Sequence, residues 1–129
     1  MTPDLFYLSL AAFLTAVLWI PFVAGDVIAN GWLRKENYAI PGHRQSPPWV
    51  QRAHRAYMNS IETLAPFGVL ILVAHTSGLA NETTAFWAAI FFWARLGHAI
   101  VHITGIPYLR TLLFMIGFSA IANIFMEIV

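Results

Sequence analysis

The chain contains no cysteine, and charged residues make up only 10% of its 129 positions. The first absence excludes disulfide frameworks, zinc knuckles and thiol nucleophiles, and leaves the redox compartment open. Any thiol chemistry must therefore use a substrate's sulfur. The second lies well below the roughly 25% of charged residues usual in soluble domains. With 7 Lys+Arg against 6 Asp+Glu and a formal net charge of +1, the basic excess that nucleic acid or a polybasic membrane surface would demand is missing. No nucleic-acid partner is expected. Internal repeats and low-complexity segments are also absent.

What is abundant is apolar. Hydrophobic residues reach 59%, with a mean hydropathy of +0.68. A domain of this size buries only about two-thirds of its surface, so that many apolar side chains cannot all find a protein interior, and lipid is the expected solvent. A bilayer core takes about 20 apolar residues per helix, and the sequence offers such stretches with helices predicted over about 3–28, 47–77, 82–104 and 107–128. Thr2-Pro3 opens the first, which is expected to kink near Pro21 and to stop at Asn30-Gly31. Ser46-Pro47-Pro48 announces the second and Ser77-Gly78 ends it; Asn81-Glu82 caps the third, and Thr104-Gly105-Ile106-Pro107 turns it into the fourth. The start of the chain carries no positive region of the kind that opens a cleaved signal, so the first stretch reads as a retained span. The expected fold class is all-α: a single domain over 1–129, an integral membrane bundle of four antiparallel helices joined by short links.

All 7 basic residues fall at one set of span ends: Arg34, Lys35, Arg44, Arg52, Arg55, Arg95 and Arg110. The excess of Lys and Arg on cytoplasmic loops of membrane proteins places those ends, and any site among them, toward the cytoplasm. Asp4, Glu82 and Glu127 lie at the opposite ends, so both termini are expected on the non-cytoplasmic side. The connection over 29–49 is long for a helix–helix link. Its Trp32, Tyr38 and Trp49 suit a membrane interface, and the segment reads either as a solvated loop with aromatic anchors or as a cover over a site.

Arg52, Arg55, Asn59 and Glu62 follow the spacing i, i+3, i+7, i+10, which at about 100° per residue gathers them within roughly 80° of one helix face. An ionised side chain in hydrocarbon costs at least about 2.5–3.5 kcal/mol, so the stripe calls for a reason. An ion pair of Glu62 with Arg55 or Arg95 would occupy two residues and leave arginine in surplus. Arg95, His98 and His102 form a second stripe at i, i+3, i+7, and Arg110 returns at the same end of the fourth span. The histidines at i, i+4 have metal-ligand spacing, but neighbouring guanidiniums repel a divalent cation and carboxylates are scarce, so no metal is expected. Surplus arginine with one Glu and one Asn suits a ligand with carboxylates and an ammonium, because the guanidinium fork matches a carboxylate.

The run Arg52-Ala53-His54-Arg55-Ala56-Tyr57-Met58-Asn59-Ser60-Ile61-Glu62 resembles the R-x-x-R-A-x-x-N-x-x-E signature of the MAPEG family, membrane-associated proteins in eicosanoid and glutathione metabolism. Pro66, four residues beyond the glutamate, recurs in many members. The stretch from Ala94-Arg95-Leu96-Gly97-His98 to Arg110 is similar to the corresponding region of microsomal glutathione transferases. The resemblance implies a homotrimer that holds glutathione as co-substrate between subunits, in the cytosolic half. It implies Arg52, Arg55, Asn59, Glu62, Arg95, His98 and His102 as the glutathione-binding set, and Arg110 as the catalytic residue that stabilises the thiolate. The expected activity is glutathione transfer or glutathione-dependent peroxide reduction on lipophilic electrophiles arriving from the membrane. The alternative is a non-catalytic membrane protein that binds a lipid-like ligand in the same intersubunit cleft. Two positions depart from the family pattern: Thr63 and His102 stand where catalytic members often carry tyrosine.

Overall fold

The computed structural model describes residues 1–30 and 46–129. Helices account for nearly all of it: α1 (Pro3–Val17), α2 (Trp19–Asn30), α3 (Pro48–Thr76), α4 (Glu82–Thr104) and α5 (Pro107–Ile128), with no strand among the described residues. Four segments, Pro3–Ala29, Pro48–Thr76, Glu82–Thr104 and Pro107–Ile128, are long and apolar enough to cross a membrane. Arg34, Lys35, His43, Arg44, Trp32 and Tyr38 of the first connection lie outside the described residues.

The break in the first span falls at Leu18, one turn ahead of the expected kink at Pro21. A proline removes the amide hydrogen that would bond the carbonyl four residues earlier. For Pro21 that carbonyl belongs to Val17, the last residue of α1, and the Leu18 amide turns back to Thr15 instead. The effect of the proline is thus displaced toward the N-terminus. Pro66 sits inside α3 and in the same way leaves the Glu62 carbonyl without its intrahelical donor, although the helix continues to Thr76.

The ends of α4 are set by local chemistry. The Asn81 side chain accepts from the Thr84 amide at 3.0 Å while Thr84 Oγ1 accepts from the Asn81 amide at 2.9 Å, a reciprocal capping box. Asn81 also donates to Glu127 Oε1 at 2.7 Å, tying the start of α4 to the end of α5. At the other end Gly105 adopts φ 88°, a left-handed conformation that glycine takes without steric cost.

The apolar core sits where α1, α3, α4 and α5 meet, around Ala11, Phe67, Ile71, Ala88, Phe91, Ala120 and Ile124. Phe67 and Phe91 stack with ring centroids 3.9 Å apart. On α3, α2 packs without spare room: Phe22 lies edge-on to His54 and tilted against Tyr57, and a Cβ at Gly25 would come within 2.5 Å of Trp49 and Val50. Toward the basic end, the buried stripe of α3 narrows to Ala53, Ala56 and Ser60. Small residues there leave room for the polar side chains of α4.

Candidate functional site

The four polar residues of α3 do not share one environment. The buried stripe runs through Ala53, Ala56 and Ser60, and Arg52 and Asn59 lie on the side of the polar face nearest to it. These two are half-buried and reach α4; Arg55 and Glu62, turned further round the helix, are exposed. Arg52 Nε donates to the Ile103 carbonyl at 3.0 Å. Arg55 instead borders a recess of about 490 Å³ together with Phe22, Asp26, Ser46, Gln51 and His54. There Ser46 Oγ donates to Asp26 Oδ1 at 2.9 Å.

Arg95 is 3% exposed. Its Nη2 donates to Asn59 Oδ1 at 2.6 Å and to Ser60 Oγ at 3.4 Å, while its Nε and Nη1 find no partner among the described residues. The ion pair with Glu62 that the sequence allowed does not form. The arginine stem passes Gly117 on α5 at ordinary packing distance: a Cβ at that position would stand 3.6 Å from Arg95 Cδ.

His98 and His102 are also buried, with ring centroids 5.2 Å apart at 72°. His98 Nδ1 and both nitrogens of His102 have no hydrogen-bond partner among the described residues. Buried polar atoms are ordinarily satisfied, so a row of unpaired nitrogens marks a place where water, a ligand or a neighbouring chain completes the bonding. The row borders an open recess of about 260 Å³ formed by Asn59 from α3, His98 and His102 from α4, and Arg110, Thr111 and Phe114 from α5.

Asn59, His98, His102 and Arg110 therefore come together, Arg95 stands behind Asn59, and Arg52, Arg55 and Glu62 are placed elsewhere. Thr111 and Phe114 were not singled out in the sequence. Phe114 follows Arg110 at i+4, so helical spacing alone would have brought it to the same wall. Ser60 was passed over as well; its signal is a hydroxyl within the small-residue stripe.

A sequence model of the MAPEG family matches residues 5–129. The chain belongs to the MAPEG family. It is also similar to microsomal glutathione S-transferase 1 of Rattus norvegicus and of Bos taurus, 34% identical over 71 residues, which cover 54% of this chain and 46% of the relative. The same protein of Homo sapiens is 33% identical over a stretch of the same length. The match thus spans about half the length of these curated relatives. As a MAPEG member with four helices able to span a bilayer, the chain is an integral membrane protein. In this MAPEG chain the polar wall of the smaller recess is built from a carboxamide, two imidazoles, a guanidinium and a hydroxyl, with no carboxylate among the described residues that line it. Such a wall can receive an anionic group and can stabilise charge that develops on it.

Proposed function

We propose that this MAPEG protein is a membrane-bound glutathione transferase, or a glutathione-dependent peroxidase, acting on lipophilic electrophiles. The observation that carries the reading is the recess of Asn59, His98, His102 and Arg110: among the described residues, buried nitrogens beside it are unpaired and no carboxylate lines it. Glutathione brings two carboxylates, one ammonium and a thiol. Arg55 and Glu62 would take its charged ends, with the ammonium on Glu62, and Asn59, His98 and His102 would line the path to Arg110.

A free thiol of pKa about 8–9 is only a few per cent thiolate at neutral pH. An opposite charge within about 4–6 Å favours the ionised form by one unit or more, and Arg110 is assigned that role, with His102 as a hydrogen-bond partner. The thiolate then attacks an electrophilic carbon and forms the C–S bond of a thioether, while a leaving group departs with its bonding pair or an epoxide or conjugated double bond opens and takes a proton from water. With a hydroperoxide it attacks the terminal oxygen and releases the alcohol, and a second glutathione completes the reduction to disulfide and water. The apolar partner arrives laterally from lipid, and holding it beside the sulfur supplies much of the acceleration. The active form in this reading is a homotrimer of antiparallel four-helix subunits, with the site between subunits in the cytoplasmic half and both termini on the other side.

A second reading, a non-catalytic protein presenting a lipid-like ligand in the same cleft, draws support from Thr63 and His102, which stand where catalytic relatives often have tyrosine. Calorimetry with glutathione on the detergent-solubilised protein, paired with ultraviolet absorbance of the bound thiolate, separates the two. Saturable binding with a thiolate signal supports the enzyme. Binding without thiolate favours the carrier, and no binding overturns the glutathione reading.

A further inference from the structure

Arg95 is the most deeply buried charge near the recess, yet it is not among the residues that line it. Its guanidinium ends on the Asn59 carboxamide oxygen, and that oxygen belongs to a residue that does line the recess. We infer that Arg95 is a positioning residue: it fixes the orientation of the Asn59 amide, so that the recess presents a donor at this point and selects a carboxylate or peptide carbonyl of its ligand. The inference rests on the glutathione reading for the identity of that ligand, while the orientation itself does not.

The argument is one of donor and acceptor inventory. The oxygen and nitrogen of a carboxamide are hard to tell apart by shape, and either could in principle face a neighbour. A guanidinium removes the choice, because it carries donors only. The Asn59 oxygen must face Arg95, and the nitrogen with both its hydrogens is turned away. Among the described residues nothing accepts from that nitrogen. Were the amide free to rotate, it would offer an oxygen to the recess part of the time and repel a carboxylate there. Ser60 Oγ, 3.4 Å from Nη2, is a second acceptor that holds the guanidinium at this point. A residue whose effect passes entirely through another leaves a recognisable thermodynamic signature, since its removal costs nothing further once the intermediary has gone.

The test uses the full chain in detergent, labelled with 15N-asparagine, and reads glutathione affinity by calorimetry and side-chain amide order parameters by NMR. Arg95→Met is expected to drop the Asn59 amide order parameter into the flexible range, below about 0.6, and to weaken glutathione about tenfold. The Asn81 and Asn123 amides, bonded to Glu127 and to the Ser119 carbonyl, should keep their wild-type order and so report an intact fold. Asn59→Leu should weaken glutathione by a similar factor, the double variant should be no weaker than Asn59→Leu alone, and Arg95→Lys should recover part of the loss. Effects that multiply in the double variant would show Arg95 touching the ligand itself and overturn the inference, as would an unchanged Asn59 order parameter in Arg95→Met. If Arg95→Met disturbs the Asn81 and Asn123 reporters, Asn59→Asp decides: it keeps an oxygen toward Arg95, so thermal unfolding should hold while affinity falls, and unchanged affinity overturns the inference. Should the wild-type protein bind no glutathione, that reading fails, and the Asn59 amide order parameter alone decides the positioning role.

Discussion

Arg52 Nε, at the start of α3, donates to the Ile103 carbonyl in the last turn of α4 at 3.0 Å. The final carbonyls of a helix have no intrahelical partner, and a cation beside them also meets the negative end of the helix dipole. The guanidinium lies over Gly105 as well, where an added Cβ would stand 3.1 Å from Arg52 Nε. One arginine therefore joins α3 to the end of α4 and covers the turn into α5.

Arg52→Leu is accordingly expected to act on stability. Loss of a charge-assisted bond to a helix end should cost about 1–3 kcal/mol, read as a lower unfolding midpoint in detergent. Glutathione affinity should change by less than about threefold, because the interaction removed is internal to the subunit. Wild-type stability with a large loss of affinity would instead place Arg52 in the ligand-binding set that the family resemblance implies.

Glu62 and Arg110 should give phenotypes that differ in kind. In the glutathione reading, Glu62→Gln would remove a charge-assisted contact to the ligand ammonium, worth about 1.5–3 kcal/mol, and should raise the Kd for glutathione by about 10- to 100-fold. Arg110→Ala should leave most ground-state affinity and lower both the thiolate absorbance and the rate of the chemical step, as expected for a group whose interaction grows with charge on sulfur. If Arg110→Ala keeps the thiolate signal and turnover, the role passes to another arginine. If neither substitution alters binding, the carrier reading is the better one.

Much of the fold was legible because its punctuation is chemical. Asn81 as a helix cap, Gly105 before Pro107, and the prolines at Pro3, Pro48 and Pro107 near helix starts all act within one turn of chain. The break at Leu18 was misplaced by one turn because a proline acts on the carbonyl four residues before it, not on its own position. The candidate site was legible as two stripes but not as an arrangement. Arg55 and Asn59 are one turn apart on the same face, yet one borders the α2 side and the other meets Arg95. That difference depends on how α3 is rotated against α4, which packing over the whole interface decides. The bonds from Ser46 to Asp26 and from Asn81 to Glu127 likewise needed the tertiary register.

Gly25 makes a packing prediction. A methyl group there would collide with Trp49 and Val50 at 2.5 Å, whereas at Gly117 the nearest neighbour, Arg95 Cδ, would lie at 3.6 Å. Both glycines are helical, and in an otherwise unconstrained helix alanine would be favoured by about 1 kcal/mol. Gly117→Ala should therefore be neutral or stabilising. Gly25→Ala should destabilise by about 1–3 kcal/mol, the range typical of overpacking. Thermal unfolding of the two variants in one detergent checks this, and similar midpoints would show that α2 can move away from α3 at little cost.

The exposure of Arg55 and Glu62 makes the last prediction, which concerns assembly. Each is exposed on the single chain, and among the described residues neither is engaged in an ion pair. Facing lipid, each would cost at least about 2.5–3.5 kcal/mol, a penalty that a polar partner surface removes. In the trimer expected from the family resemblance, α3 of one subunit would lie against its neighbour with these residues inside the contact. Native mass spectrometry in a mild detergent should then show trimers. Glu62→Leu separates the possible surroundings: if Glu62 faced lipid, leucine would raise the unfolding midpoint and leave assembly alone. If it lies between subunits, leucine should weaken the trimer and glutathione binding together. A wild-type protein that is monomeric under these conditions, and more stable with leucine at position 62, would place this face of α3 in lipid and remove the intersubunit site.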